Sequence, residues 1–323
     1  MAVAATAGLE VVHELEVVHE THYRYAAPVA LAHHLAHLQP LEDEHQQLLR
    51  HELLTEPEAQ TRHGGCDAFG NPCLWFSSAR PHQHLLVRAT SRVRLAPRFD
   101  ALRAEASPPW DRLAAGLRYV ARGAYDAAVQ FALPSPYVPR LEALRAYAAP
   151  SFPPGRPVLA GALELMHRLH ADFEYRSAST QIDTPLARAF EQRAGVCQDF
   201  AHLMAGALRM LGLPARYVSG YLLTRPPGGT ADLLGADASH AWVQVYAPGT
   251  AGVPGDWLDL DPTNDLVPAG GHVRLAVGRD FGDVTPLRGV IRGGGRHTLA
   301  VAVRTRRLDE SRGVGPALAN EPA

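Results

Sequence analysis

The spacing of apolar and polar positions changes character along this chain, and the changes mark its elements. From residue 9 to about 95 the short period of strands prevails in four β-rich runs, Leu9 to Tyr25, Leu48 to Thr55, Cys73 to Ser78 and His84 to Leu95. Phe69-Gly70-Asn71-Pro72 supplies turn chemistry between two of them. Residues 101 to 149 are rich in alanine and arginine, with predicted helices at Trp110 to Ala121 and Arg140 to Tyr147, broken by Leu133-Pro134-Ser135-Pro136. Pro150 to Gly155 reads as a loop. Helices follow at Val158 to Ala171 and from Pro185, where Thr184 suits an N-cap and proline has its φ preset for the first helical position. Gly195 is expected to end that helix.

The clearest helical stripe is Phe200, Leu203, Met204, Ala207, Leu208 and Leu211, spaced i, i+3, i+4, i+7, i+8 and i+11. It predicts a helix that begins at Cys197, with Gly212 at C′ and Pro214 as the stop. Alternation then predicts a strand over 238–246, with His240 at its start. His240, Trp242, Gln244 and Tyr246 share one face, and Ala241, Val243 and Val245 the other. A second short strand runs from Asp256 and ends at Asp261-Pro262, because proline cannot continue a central ladder and the residue before it is held extended. Thr298 to Thr305 reads as a closing strand, and Gly278 to Gly289, rich in glycine and aspartate, as a shaped loop.

The chemistry concentrates where these elements begin and end. Thiolate is the attacking form of cysteine, and a helix N-terminus offers unpaired N–H groups and a positive dipole end that favour the anion. Cys197 occupies that position, although it also lies on the apolar face, where a small inert core cysteine would sit. Nucleophilic acyl chemistry needs a thiol, an imidazole to carry its proton, and a carboxylate to fix the imidazole's tautomer and orientation. Cys197, His240 and an aspartate at the end of the second strand supply that set in order. Asp259 and Asp261 lie on the same face of that strand, so spacing alone does not choose between them.

The run from Gly195 to Tyr221, followed by Ala238 to Tyr246 and by Asp256 to Asn264, resembles the transglutaminase-like superfamily of papain-type thiol enzymes. The resemblance implies Cys197 as nucleophile, His240 as base and Asp261, the aspartate before Pro-Thr, as the orienting acid. The backbone N–H of Cys197 is the expected oxyanion donor. Trp242 or Tyr221 could line the acyl-binding groove, with core packing the favoured reading for either. His19 to Tyr25, Pro28-Val29 and Asp67 to Asn71 resemble the β-domain that precedes the catalytic core in bacterial members, and Gly278 to Gly289 fits the same group.

The expected fold is therefore α+β. An N-terminal β-sandwich-like domain spans 9–100 and a helical connection 101–157. A papain-like transglutaminase core spans 158–305, its Cys-bearing helix packed on an antiparallel sheet that bears His240 and Asp261, with C-terminal closing strands. Residues 306–323 are expected to form a disordered tail. The implied activity is attack on amide bonds of peptides or proteins through an acyl-thioester, resolved by water in a peptidase or amidase, or by an amine in a transglutaminase. The competing class is a binding module or scaffold that keeps the fold without turnover.

Composition narrows the partners. With 323 residues and 46% hydrophobic content the chain can bury a large core over two domains. A net charge of −2 provides no basic footprint for nucleic acid or an anionic membrane. No apolar run approaches the ~18 residues of a membrane span, and Met1 to Gly8 lacks the features of a signal segment, so cytoplasmic residence is expected. Cys66, Cys73 and Cys197 are expected as free thiols. No cofactor is expected and no metal: His33 and His37 stand at i, i+4 without a third ligand at suitable spacing, and no loop has the oxygen ligands that calcium needs. Every one of the 31 basic residues is arginine. A lysine-free surface would spare a cross-linking enzyme from joining itself, but scarce isoleucine (Ile182 and Ile291 alone) beside abundant alanine points to compositional bias. Residues 225–237, rich in glycine and proline, stand just before His240, where they could gate a cleft or simply be disordered.

Overall fold

The computed structural model describes residues 13–177, 184–223 and 239–308. The N-terminal sheet is organised by one long strand, β1 (His13–Ala36). It is joined by β2 (Gln46–Glu56), β3 (Thr61–Cys66), β4 (Pro72–Ser78) and β5 (His82–Leu95). Its first half pairs antiparallel with β5, and its second half with β4 after a register shift between Arg24 and Val29. The order is β2-β5-β1-β4-β3. Tyr25, Val29, Leu53, Phe76 and Val87, drawn from both halves, meet in one cluster, which forms the core of this sheet domain.

The middle of the chain is helical: α1 (Trp110–Gly116), α2 (Glu142–Ala148) and α3 (Val158–Asp172) are followed by a two-residue strand, β6 (Glu174–Tyr175). Then come α4 (Leu186–Gln192), β7 (Ala194–Gly195) and α5 (Cys197–Met210). A four-stranded antiparallel sheet is built from β8 (Ala215–Leu222), β9 (His240–Tyr246), β10 (Trp257–Leu260) and β11 (His272–Gly278), ordered β10-β9-β8-β11. α5 packs on β8 and β9 on one side and on α2, α3 and α4 on the other. It is buried from Asp199 through Arg209, all round rather than along one stripe. Small residues permit this: a Cβ on Gly206 would stand 2.8 Å from Leu144 Cδ1. Helices that are enclosed on every side need such thin places.

The chain finishes with a one-turn helix, α6 (Phe281–Val284), then β12 (Leu287–Gly293) and β13 (His297–Arg307). The closing strand expected at 298–305 exists, but it returns to the N-terminal domain. β13 pairs with the first half of β1 and β12 with the second, so the two ends of the chain share one sheet. Leu15, Val17, Val93 and Leu95 of that sheet join the cluster that holds α3, α5 and β8 to β11, which makes the hydrophobic core continuous between the domains.

Other departures have local causes. β1 runs on through Pro28 to Ala36, because proline is tolerated where the register shifts. α1 stops at Gly116, short of the predicted Ala121. α4 starts after Pro185, which itself is the N-cap in place of Thr184. It ends at Arg193 in the left-handed region (φ 51°) instead of at Gly195. The Arg193 guanidinium covers Phe190 and Phe173 at 4.6 and 4.7 Å from their ring centres, which offsets the backbone cost. Cys66 and Cys73 are free, as expected. Cys66 lies opposite Pro72, one place off Cys73, so the two side chains emerge on different faces, one exposed and one buried. His33 and His37 belong to a strand and its end, not a helix face; His33 is exposed and His37 is buried against Asp67 and the Thr285 carbonyl. The segment 225–237 and the tail beyond 308 lie outside the described residues.

Candidate active site

The helix that carries Cys197 is started by a carboxylate. Asp199, buried in the first turn of α5, accepts from the backbone N–H of Val196 at 2.8 Å, reaching back over the N-cap. Gly195 makes room for it, since a Cβ there would fall 2.6 Å from Asp199 Cβ. Cys197 is therefore the first helical residue and half-buried, and its N–H lies in the turn where no intrahelical acceptor exists.

Antiparallel order brings the remaining groups to one end of the core sheet. β9 and β11 begin there, and β8 and β10 end there. His240, the first residue of β9, donates from Nε2 to Asp261 Oδ2 at 2.8 Å, with both side chains fully buried. Among the described residues its Nδ1 has no hydrogen-bond partner, and the Cys197 thiol acts on the ring's protonation alongside Asp261. Burial alone would pull the imidazole pKa down, but Asp261 and then Cys197 more than reverse it, so His240 is held well above its ordinary value. Asp261 moves the opposite way: burial raises it, and the two histidines that contact it outweigh that and leave it strongly acidic.

Asp261 is the most thoroughly solvated carboxylate of the site, by protein rather than water. Oδ1 accepts from the backbone N–H of Thr263 and Asn264 at 3.0 and 3.2 Å. Oδ2 accepts from Asn264 Nδ2 at 2.8 Å and from His272 Nε2 at 3.0 Å, in addition to His240. The choice between the two aspartates is thus made by contact. Asp259 faces Gln244 across the strands and does not touch His240. Burial pushes its pKa up to about 6, with Arg98, then Gln244 and Trp242, and last Arg216 pulling against it.

Trp242 and Tyr221 are 0% and 1% exposed, core residues as expected. Trp242 stacks on His240 with ring centres 6.0 Å apart, and Gly220 leaves it space, for a Cβ there would be 2.4 Å from the indole. Tyr221 donates or accepts at 3.0 Å with His19 of β1, a bond between the two domains. The shaped loop expected at 278–289 takes form as β11's end, α6 and the start of β12: Asp280 caps α6 through Gly282 N–H and also accepts from Tyr137 N–H, while Arg279 pairs with Asp283.

His272 and Asn264 were not among the residues singled out from sequence. His272 could have been found by the same signal as His240, a histidine opening an alternating run, here Val273-Arg274-Leu275-Ala276-Val277. Among the described residues, His240, Asp261 and His272 form the group whose ligand atoms could hold a metal ion. Their separations of 2.8 and 3.0 Å are those of hydrogen bonds, and each contact pairs a ring N–H with a carboxylate oxygen.

A helix-borne thiol against a sheet-borne imidazole and carboxylate marks, in general terms, a thiol enzyme on a papain-like fold. Residues 15–94 match the bacterial transglutaminase-like N-terminal region, and residues 146–262 the transglutaminase-like superfamily. An uncharacterized protein of Mycobacterium tuberculosis is 38% identical over 282 residues, covering 86% of this chain and 88% of that protein. Another, from Mycobacterium leprae, is 30% identical over 297 residues, covering 91% and 99%. The chain belongs to the transglutaminase-like superfamily, as a bacterial-type member with the N-terminal region attached. A stretch of 80 residues is 38% identical to a protein-glutamine gamma-glutamyltransferase of Pseudomonas aeruginosa, covering 24% of this chain and 11% of that one. In fold, it superposes on the crystal structure of a candidate cysteine protease from Cytophaga hutchinsonii, with TM-score 0.70, 22% identity and coverage of 93% and 92%. No helix among the described residues is long and apolar enough to cross a membrane.

Proposed function

We propose that the protein cleaves amide bonds of peptide or protein substrates through an acyl-thioester on Cys197. The observation that carries this reading is the buried His240–Asp261 pair, whose other imidazole nitrogen is left unpartnered among the described residues and whose ring is influenced by a thiol at a helix start. Cys197 gives its proton to His240 Nδ1 and its sulfur attacks the carbonyl carbon. The negative charge that develops on the carbonyl oxygen is stabilised by the Cys197 backbone N–H. As the C–N bond breaks, His240 returns the proton to the departing amine, leaving the acyl group on sulfur. Water or a second amine then attacks the thioester, giving its proton to Nδ1, and Cys197 is released. Asp261 stays ionised throughout and keeps the ring's Nδ1 directed at sulfur.

Hydrolysis of a peptide or isopeptide bond is the favoured outcome, with amine transfer as the variant that an amine-accessible groove would permit. Cytoplasmic residence belongs to the same reading, supported by three cysteines that are all free. The test uses iodoacetamide on the full chain at pH 6, with exposed Cys66 as the internal reference. Cys197 is expected to alkylate much faster than Cys66, and His240→Ala to abolish that advantage; equal rates at both thiols would sink the nucleophile. A glutamine peptide with a tagged amine in excess then separates the outcomes: ammonia release without amine incorporation identifies hydrolysis.

A further inference from the structure

We infer that His272 is a positioning residue of this centre, which anchors Asp261 to the core sheet and thereby aims His240. The inference rests on the proposed role of Cys197, His240 and Asp261. Of the five donors on Asp261 among the described residues, three belong to Thr263 and Asn264, in the turn that Asp261 itself begins, and would move with it. A fourth is His240, the group to be aimed. His272 is the remaining donor, and it comes from a different strand.

That strand is held firmly. His272 pairs with Leu222 of β8 at the start of β11. The other edge of β11 is closed by two carboxamides of the N-terminal domain: Gln46 exchanges hydrogen bonds with the N–H and C=O of Arg274 (both 2.8 Å), and Asn71 does the same with Val277 (both 2.8 Å). The His272 ring stands edge-on to Trp242, with centres 5.1 Å apart at 85°, and its side chain is 5% exposed. It has little room to swing. Burial lowers its pKa against the pull of Asp261, which favours the neutral ring. A neutral N–H holds the carboxylate in place without cancelling the charge that His240 needs.

The experiment compares wild type, His240→Ala, His272→Phe and His272→Gln in the full chain, by Cys197 alkylation at pH 6 and thermal melting. Phenylalanine keeps the ring against Trp242 and removes the donor, whereas glutamine places an N–H near the same point. His272→Phe is expected to melt as a single transition and to alkylate roughly tenfold slower, His272→Gln to recover most of the rate, and kcat on any amide substrate to fall on the order of 100-fold at constant KM in the Phe variant alone. If His272→Phe alkylates like wild type while His240→Ala does not, the anchor is refuted and the nucleophile stands. Equal losses in the Phe and Gln variants, accompanied by lower melting temperatures, would reduce His272 to packing. An unaffected His240→Ala would overturn the underlying reading instead.

Discussion

The side-chain amide of Asn71 pairs with both backbone groups of Val277, its Nδ2 donating to the carbonyl and its Oδ1 accepting from the N–H, each at 2.8 Å. An amide side chain thus stands in for a neighbouring strand on the free edge of the core sheet. Asn71 is fully buried, and Asp67 fixes it by accepting from both its backbone N–H and its Nδ2. Unpaired edges invite wrong pairing, and this one is covered by the N-terminal domain.

Replacement of Asn71 by alanine should leave the N–H and C=O of Val277 buried without partners. A loss of about 2–4 kcal/mol is expected, read as a lower urea midpoint with little change in slope. An unchanged midpoint would mean that the edge is satisfied by other means.

Asp259 makes stability pH-dependent. Its folded pKa, about 6, lies above the ordinary 3.8, so the folded state favours the protonated form. The contribution is present in full below 3.8 and is lost as pH rises through about 6. Asp259→Asn should therefore gain on wild type by on the order of 2–3 kcal/mol between pH 4 and pH 7. Parallel stability curves for the two proteins across that range would contradict this origin.

Gly195→Ala tests the helix start. The added methyl meets Asp199, which is buried and committed to the Val196 N–H, so one of them must shift. Destabilisation of about 1–3 kcal/mol is expected, together with slower Cys197 alkylation, because the first turn of α5 carries the thiol. Wild-type values for both would show that the turn yields without cost.

Asp261→Asn should lower the activity on amide substrates by roughly 10²–10⁴-fold, because asparagine can present its N–H to His240 and permit the wrong tautomer. The charged pair also leaves a stability signature. His240, with its raised pKa, contributes fully below 6.5 and loses this as pH rises through its folded value; Asp261, with its depressed pKa, contributes fully above 3.8 and loses it as pH falls. The gap between wild type and Asp261→Asn is thus expected to be widest between those two pH values, and a gap that grows steadily toward pH 9 would contradict the sign.

Much of the site was readable because its residues sit at the ends of strongly patterned elements. The stripe from Phe200 to Leu211 located α5 and put Cys197 at its start, and alternation put His240 at the head of β9. Local pattern did less well where the neighbours set the outcome. β3, exposed along its length, has no inward face to alternate, and Arg193 closes α4 because three aromatic rings receive its side chain.

The sequence by itself determined a thiol at a helix start, an imidazole at a strand start and two aspartates two residues apart, since each depends on periodicity and capping within a few residues. Spacing left Asp259 and Asp261 open and the family resemblance pointed to Asp261; the tertiary structure alone showed that it is Asp261 that meets His240, that His272 shares it, and that β12 and β13 return to β1. Those relations join positions far apart in the chain, and register between strands is set by packing that no local spacing encodes.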